Sequence, residues 1–534
     1  MARYIVRTTK LCMHDRIWYL RLTILVVGFA IALTLSHLVS ITFPTTKSNP
    51  IQGCAKDMSM GLKVEGVASL AGDSGEDLEV RKRLGGLLAP GNDEGSCISR
   101  HQTYMYRKSS PHLPSKYLIS KLRQYEDRHR RCGPFTEAYN RSIRGLNSSP
   151  LDAISNTDCK YVVWVGSGGL GNMIISMASL FNYALLTNRV LLVKHGDDVA
   201  NLFCEPFPNT SWLLPEDFPL NKQFDMFDIK KFDGNSSVSV KDLPSFLYIN
   251  LVYEDGVEPY YLFFRDETQT YLQGFPWLAL KSDQYHVPAQ FMMKSLEPEL
   301  NRFFPDKASL FHHLSRYLFH PSNRAWGLIS RFYQAYMERA DQRIGIQVRI
   351  FGTKQSPFHL VLKQILSCTQ GANLLPKAEY NRCKASPPKH QTSKAITIAS
   401  LYPFFYQEIK NLYLMNPTVT GEVIAVHQPS HEEKQKLGDN VHNLKAWADI
   451  YILSLNDVLV TSAWSTFGYV AQGLAGVKSW ILELPGRHSV PNPPCRPSTS
   501  SEPCLLLFPN YNPGNLPPYI KNCEDAKLGL KLVN

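Results

Sequence analysis

Apolar residues along the chain fall into three kinds of run, each predicting a different element. The first, Leu22 to Phe43, holds 22 residues without Lys, Arg, Asp or Glu. As a helix it would rise ~33 Å, enough to cross a bilayer. It runs into Pro44 and TTKSNP with no small-residue cleavage site, so it predicts a signal anchor rather than a removable leader. The second kind is short, nearly continuous and rich in valine and isoleucine: KYVVWV (160 to 165), RVLLV (189 to 193), RIGIQVRIF (343 to 351), EVIAV (422 to 426), DVLVT (457 to 461) and SWILEL (479 to 484). Runs without alternation predict strands buried on both faces, as in parallel sheets. The third kind has helical spacing: Ile174, Met177, Ala178, Phe181 and Leu185, then AWADIYILSL (446 to 455) and FGYVAQGLAGV (467 to 477). An aromatic-rich connection from about 290 to 340, including LISRFYQAYMERADQ, reads as mostly helical.

Strand, glycine turn, helix and strand in that order make a βαβ unit, and the chain has one set early and one late. The expected class is therefore α/β, with two Rossmann-like domains at 84–335 and 336–534 facing a cleft. Ligand would sit outside the carboxyl ends of the strands. Ahead of them the pattern predicts a tail at 1–21, the membrane span at 22–43 and a Gly/Ser-rich stem at 44–83. No repeat of 20 to 50 residues is visible, which excludes a solenoid.

Composition adds a compartment. The chain has 534 residues and a net charge of +11, and residues 1 to 21 carry Arg3, Arg7, Lys10, Arg16 and Arg21 against Asp15 alone. Basic residues before the span and few after it place the N-terminus in the cytosol and the body in a lumen. The remaining basic clusters, RKR at 81 to 83 and RHRR at 128 to 131, lack the recurrence of a nucleic-acid surface, so no nucleic-acid partner is expected. Asn140, Asn147, Asn209 and Asn235 begin four N-glycosylation triplets, which a luminal body makes credible. Of 11 cysteines only Cys12 would be cytosolic. Disulfides are the default for the other ten, and Cys495, Cys504 and Cys523 are expected to staple the C-terminal tail. Neither CxxC spacing nor HExxH occurs, so a zinc site is not expected.

Three places carry candidate chemistry. Gly166-Ser-Gly168-Gly-Leu-Gly171 fits GxGxxG between a strand and a helix. It reads as a tight turn, as an anion or sugar site at a helix start, or as a nicotinamide site. The last wants an acidic residue closing the second strand, where Lys194 and His195 stand instead. Asn172 would cap that helix or reach a ligand. Arg349 closes the strand IGIQVR; it is either a surface arginine or a planar fork for a pyrophosphate whose charge grows as a nucleoside diphosphate departs. Ser462, Ser465 and Thr466 stand where a strand passes into a helix, a place for caps or an anion cradle. Trp464 and Phe467 would wall a base or sugar, or pack in the core. No Asp-x-Asp occurs, so a diphosphate would be neutralised by Arg349 and helix N-termini rather than by a metal ion. Asp283, and the cluster Glu254, Asp255 and Glu258, are candidate bases.

Taken together, LGGLLAP, SCISR, YLISKLRQYEDRHRRCGPFT, VVWVGSGGLGN, NYALLTNRVLLV, LFCEPFPNTSWLLPEDFPL, FHHLSRYLFHPSNRAWGL, RIGIQVRIF, VHQPSHEE and TSAWSTFGYVAQGLAG resemble, in this order, the plant cell-wall α-1,2-fucosyltransferase family, whose members modify xyloglucan or arabinogalactan proteins. The likeness runs from about 84 to the C-terminus. It implies a GT-B-type fold, a type II Golgi membrane protein acting in cell wall biogenesis, GDP-fucose as donor, no metal or other cofactor, and inversion onto a galactose 2-hydroxyl. By the same resemblance Arg349 grips the donor diphosphate, Ser465, Thr466 and Phe467 form a second donor loop beside Trp464, and Gly169, Gly171 and Asn172 line the facing wall. Asp283 would lie near the acceptor galactose. The chain departs from the pattern of the family's best-known member at Met173, where that member has an arginine, and near Lys194 and His427, where it has an acidic residue and a tyrosine. The acceptor polymer, homodimerisation and whether Met173 reduces activity stay open, and the competing readings are a catalytically weakened or nonenzymatic luminal glycan-binding type II membrane protein and, more distantly, a luminal oxidoreductase.

Overall fold

A computed structural model describes residues 75–534 apart from 91–94, 108–109, 148–158, 195–197, 222–244, 253–257, 353–355, 380–391, 485, 487 and 508–515. The tail, the membrane span, most of the stem, Asn235, Glu254 and Asp255 lie outside these residues. Where the stem reading does meet them it needs correction: Gly75–Lys82 is helical rather than a spacer.

The valine-bearing, buried runs β1 (Tyr161–Gly166) and β2 (Val190–Lys194) form the first sheet together with β3 (Phe246–Asn250), which is partly buried, and β4 (Trp277–Ser282). All its pairs are parallel, in the order β2-β1-β4-β3. Gly166 pairs with Ser282, so the glycine turn and Asp283 leave the sheet side by side. The second sheet contains β5 (Gln342–Val348), β6 (Ser393–Ser400), β7 (Val423–His427), β8 (Val458–Ser462), β9 (Trp480–Leu482) and β10 (Cys495–Pro497). Its order is β10-β9-β8-β5-β6-β7, parallel except for β10 against β9. β11 (Ile520–Asn522) and β12 (Leu530–Leu532) make a hairpin in the tail.

The helices of the described residues include α1 (Ile98–Tyr106), α2 (Lys116–Cys132), α3 (Leu170–Thr187), α4 (Leu310–Leu318), α5 (Asn323–Tyr336), α6 (Phe358–Gly371), α7 (Pro403–Met415), α8 (Asn440–Leu453) and α9 (Thr466–Ala475), of which α3, α8 and α9 reach the site. The residues of α3 that the period singled out, Ile174, Met177, Ala178, Phe181 and Leu185, are all buried. α3 packs on β1, α8 on β5 and β6, and α9 on β8, while α3 and α9 also meet each other. One hydrophobic cluster consequently runs through Phe181, Leu314, Trp326, Trp447 and Val470, elements of both sequence halves. Burial of this contiguous apolar surface holds the two sheets to one frame.

Among the described residues four disulfides tie the frame: Cys97–Cys204, Cys132–Cys159, Cys368–Cys495 and Cys504–Cys523. The tail staple therefore uses two of the three cysteines expected. Cys495 opens β10 at the sheet edge and is joined instead to Cys368 of α6. Cys54 and Cys383 fall outside the described residues. Of the glycosylation triplets, Asn140 and Asn209 are exposed, and Asn147 ends a short 3-10 turn.

Candidate active site

The carboxyl ends of β1, β5 and β8 open on a cleft of about 430 Å³ lined by the glycine turn, Arg349, the loop at 430–437, one face of α8 and the start of α9. Gly169, Gly171, Asn172, Arg349, Trp464, Ser465, Thr466 and Phe467, all singled out in the sequence, stand together on its wall.

After β1 the chain turns through Gly168, whose φ of +79° suits glycine, and Gly169 occupies the N-cap of α3. Asn172 is thus not the cap. It lies in the first turn, where its Nδ2 donates to the Asp283 carbonyl at 3.1 Å and its Oδ1 accepts from Thr466 Oγ1 at 2.9 Å. One amide therefore joins the glycine turn, the end of β4 and the start of α9. The approach is close enough that a Cβ on Gly171 would stand 2.6 Å from Thr466 Oγ1 and 2.8 Å from the Phe467 nitrogen. Only glycine lets the N-termini of α3 and α9 meet in this way. Two helix starts at one cleft bring unsatisfied N–H groups and the positive ends of two dipoles to one place, an arrangement that binds anions.

β5 ends at Val348, so Arg349 is the first residue beyond the strand rather than its last. Its backbone N–H donates to Ser462 Oγ at 2.9 Å, which ties β5 to β8, and its Nη2 donates to Gln435 Oε1 at 3.1 Å. Its guanidinium lies 5.7 Å from the Phe351 ring centroid. Among the described residues the side chain is held by a neutral amide, not a carboxylate, which leaves its charge for a ligand. Ser465 takes the N-cap position of α9 without a side-chain cap bond. Trp464 has φ +57° and remains 44% exposed, although a large apolar residue in the left-handed region costs about 1–3 kcal/mol unless its surroundings hold it there.

The far wall contains residues that the sequence reading missed. Asp449 of α8 is buried and accepts from Ser430 Oγ. Burial raises its carboxyl to about 7, with the Ser430 hydrogen bond opposing the shift. Asn443 and Gln435 line the same region. Glu432 is occupied by Lys445 and His442, whose hydrogen bonds hold its carboxyl below the usual range. No spacing signal marks these residues, since they project from a loop and a helix face whose sequence reads as ordinary core and surface.

Asp283 follows β4 and is half-buried, joined to the cleft through Asn172 rather than lining it. Met173, Lys194 and His427 also stand off its wall: Met173 packs on the core, Lys194 closes β2, and the His427 ring lies 4.5 Å from that of Tyr336.

A family profile described as xyloglucan fucosyltransferase matches residues 54–513. The chain is 47% identical over 469 residues to a galactoside 2-alpha-L-fucosyltransferase of Pisum sativum, covering 85% of this chain and 82% of that one. It is 48% identical to a protein of the same description from Arabidopsis thaliana, covering 85% and 83%. Among solved structures it resembles an Arabidopsis thaliana FUT1 mutant in complex with GDP, with a TM-score of 0.78 and 47% identity over 85% of this chain and 100% of that chain.

Proposed function

The chain belongs to the xyloglucan fucosyltransferase family, and we propose that it is an inverting α-1,2-fucosyltransferase of GT-B type that uses GDP-fucose without a metal ion. The observation that carries this reading is the convergence of Arg349 with the N-termini of α3 and α9 on one cleft, locked by Asn172. A relative with this fold binds GDP. In transfer, the acceptor galactose 2-hydroxyl attacks fucose C1 on the face opposite the nucleotide. The C1–O bond breaks, and its electrons pass to the β-phosphate. Arg349 and the two helix starts meet that growing charge with preorganised donors, which is the largest contribution such a site makes to rate. The hydroxyl proton goes to a base, for which Asp283 is the candidate; the Asn172 bond fixes its backbone against the glycine turn. The acceptor is a galactose-bearing cell-wall glycan, xyloglucan or an arabinogalactan protein. The basic N-terminus and the apolar run at 22–43 support a type II Golgi membrane location, with the site in the lumen.

Transfer of radiolabelled fucose from GDP-fucose, in EDTA, to a panel of xyloglucan and arabinogalactan acceptors tests this. Incorporation into one of them is expected. Failure on every acceptor, or a strict requirement for added metal, refutes the proposal.

A further inference from the structure

Asp525 lies in the C-terminal tail, 61 residues beyond Trp464, and does not line the cleft. Its Oδ2 accepts from the Trp464 backbone N–H at 2.9 Å and from the Tyr469 hydroxyl at 2.6 Å, and its backbone carbonyl accepts from the Trp464 indole Nε1. We propose that Asp525 is a positioning residue for the donor site, holding Trp464 and the first turn of α9 in the arrangement that receives the nucleotide sugar.

Three observations support this. Trp464 adopts a left-handed backbone that a tryptophan does not take unaided. Asp525 holds both its backbone and its ring, so conformation and indole direction are set together. Tyr469 lies one turn into α9 and is buried, so the same oxygen that holds the loop also holds the helix whose N-terminus faces the cleft. The tail can bear this role because it is itself anchored. Cys523, two residues before Asp525, is joined to Cys504, and Glu524 is bound by Thr499 and by the buried Lys531 at 2.9 Å. Pulling the tail away would release Trp464 and leave α9 free to turn. The consequence falls on the donor, because Trp464, Ser465 and Thr466 all line the cleft beside Arg349.

This inference rests on the donor reading above, and the test separates the two. GDP is titrated calorimetrically into the full-length chain, and KM for donor and acceptor is measured on the same preparations. Asp525→Ala is expected to raise the GDP Kd and the donor KM tenfold or more while acceptor KM stays within twofold. Asp525→Asn keeps an acceptor oxygen and should recover to within threefold of wild type. Should Asp525→Ala fail to melt cooperatively, Asp525→Glu, which lengthens the arm, decides instead with an expected threefold or greater weakening. Donor constants unchanged in these variants overturn the proposal even if wild type binds GDP. A wild-type chain that binds no GDP overturns the donor reading and this inference with it.

Discussion

Asp449 gives the clearest pH signature of the cleft. Its folded carboxyl titrates near 7 because burial disfavours the charged form, against an ordinary value of 3.8. A carboxyl raised on folding stabilises fully below its unfolded value, and that contribution is lost as pH rises through the folded one. Asp449→Asn removes the penalty of ionising a buried group, so its melting temperature relative to wild type should climb between pH 4 and pH 7 and level off above 8. Thermal melts of both proteins across that range check this; a constant difference would mean that the group is already ionised in the folded chain. The residues singled out in the sequence that gather at the cleft are those that ended a pattern. Arg349, Ser465 and Gly171 each stand where a strand or helix begins or stops, and periodicity exposes such points. Asp449, Gln435 and Asp525 are polar residues inside a helix, a loop and a tail. They reach the site or its supports only through tertiary packing, which no local spacing encodes.

The elements were legible according to their apolar continuity rather than their length: β6, with 8 residues, is longer than β9, with 3. β1, β2, β5, β7, β8 and β9, with α3, α8 and α9, follow the sequence reading to within a few residues, apart from the start of α8. α8 begins at Asn440, six residues before the apolar run, because the Asp439 carboxylate accepts from the backbone N–H of Val441 and His442 and so caps an earlier start. β6 was missed because Ser393–Ser400 alternates alanine, threonine and serine with isoleucine and lacks a valine-rich run. β3 and β4 are short segments set among aromatic residues. At this scale the tail staple makes its own prediction. Cys504–Cys523 closes a span of 19 residues, and removing such a crosslink from the unfolded chain's constraints costs about 3 kcal/mol. The double replacement Cys504→Ser/Cys523→Ser should lower stability in chemical denaturation by about that amount and weaken GDP binding, since Asp525 loses its anchor. Lost stability with undiminished GDP affinity would separate the staple from the site.

Across the whole molecule, two runs of strand and helix correctly announced an α/β chain with two parallel sheets. What they did not disclose is that α3, α4, α5, α8 and α9 merge into one core, since periodicity assigns a buried face without naming what covers it. That merger lets residues some 300 positions apart share a bond, as Asn172 and Thr466 do. It also ties both helix starts to one frame, the condition for preorganised charge stabilisation. The central claim, that this frame neutralises a nucleoside diphosphate with Arg349 and two helix starts, is tested most directly by calorimetric titration of GDP into the full-length chain in EDTA, alongside Arg349→Ala. Binding without metal is expected, with a loss of about 10²-fold or more in the variant and an unchanged melting temperature, as for removal of one preorganised charged donor. Binding that appears only with added divalent cation, or that survives Arg349→Ala undiminished, would contradict it.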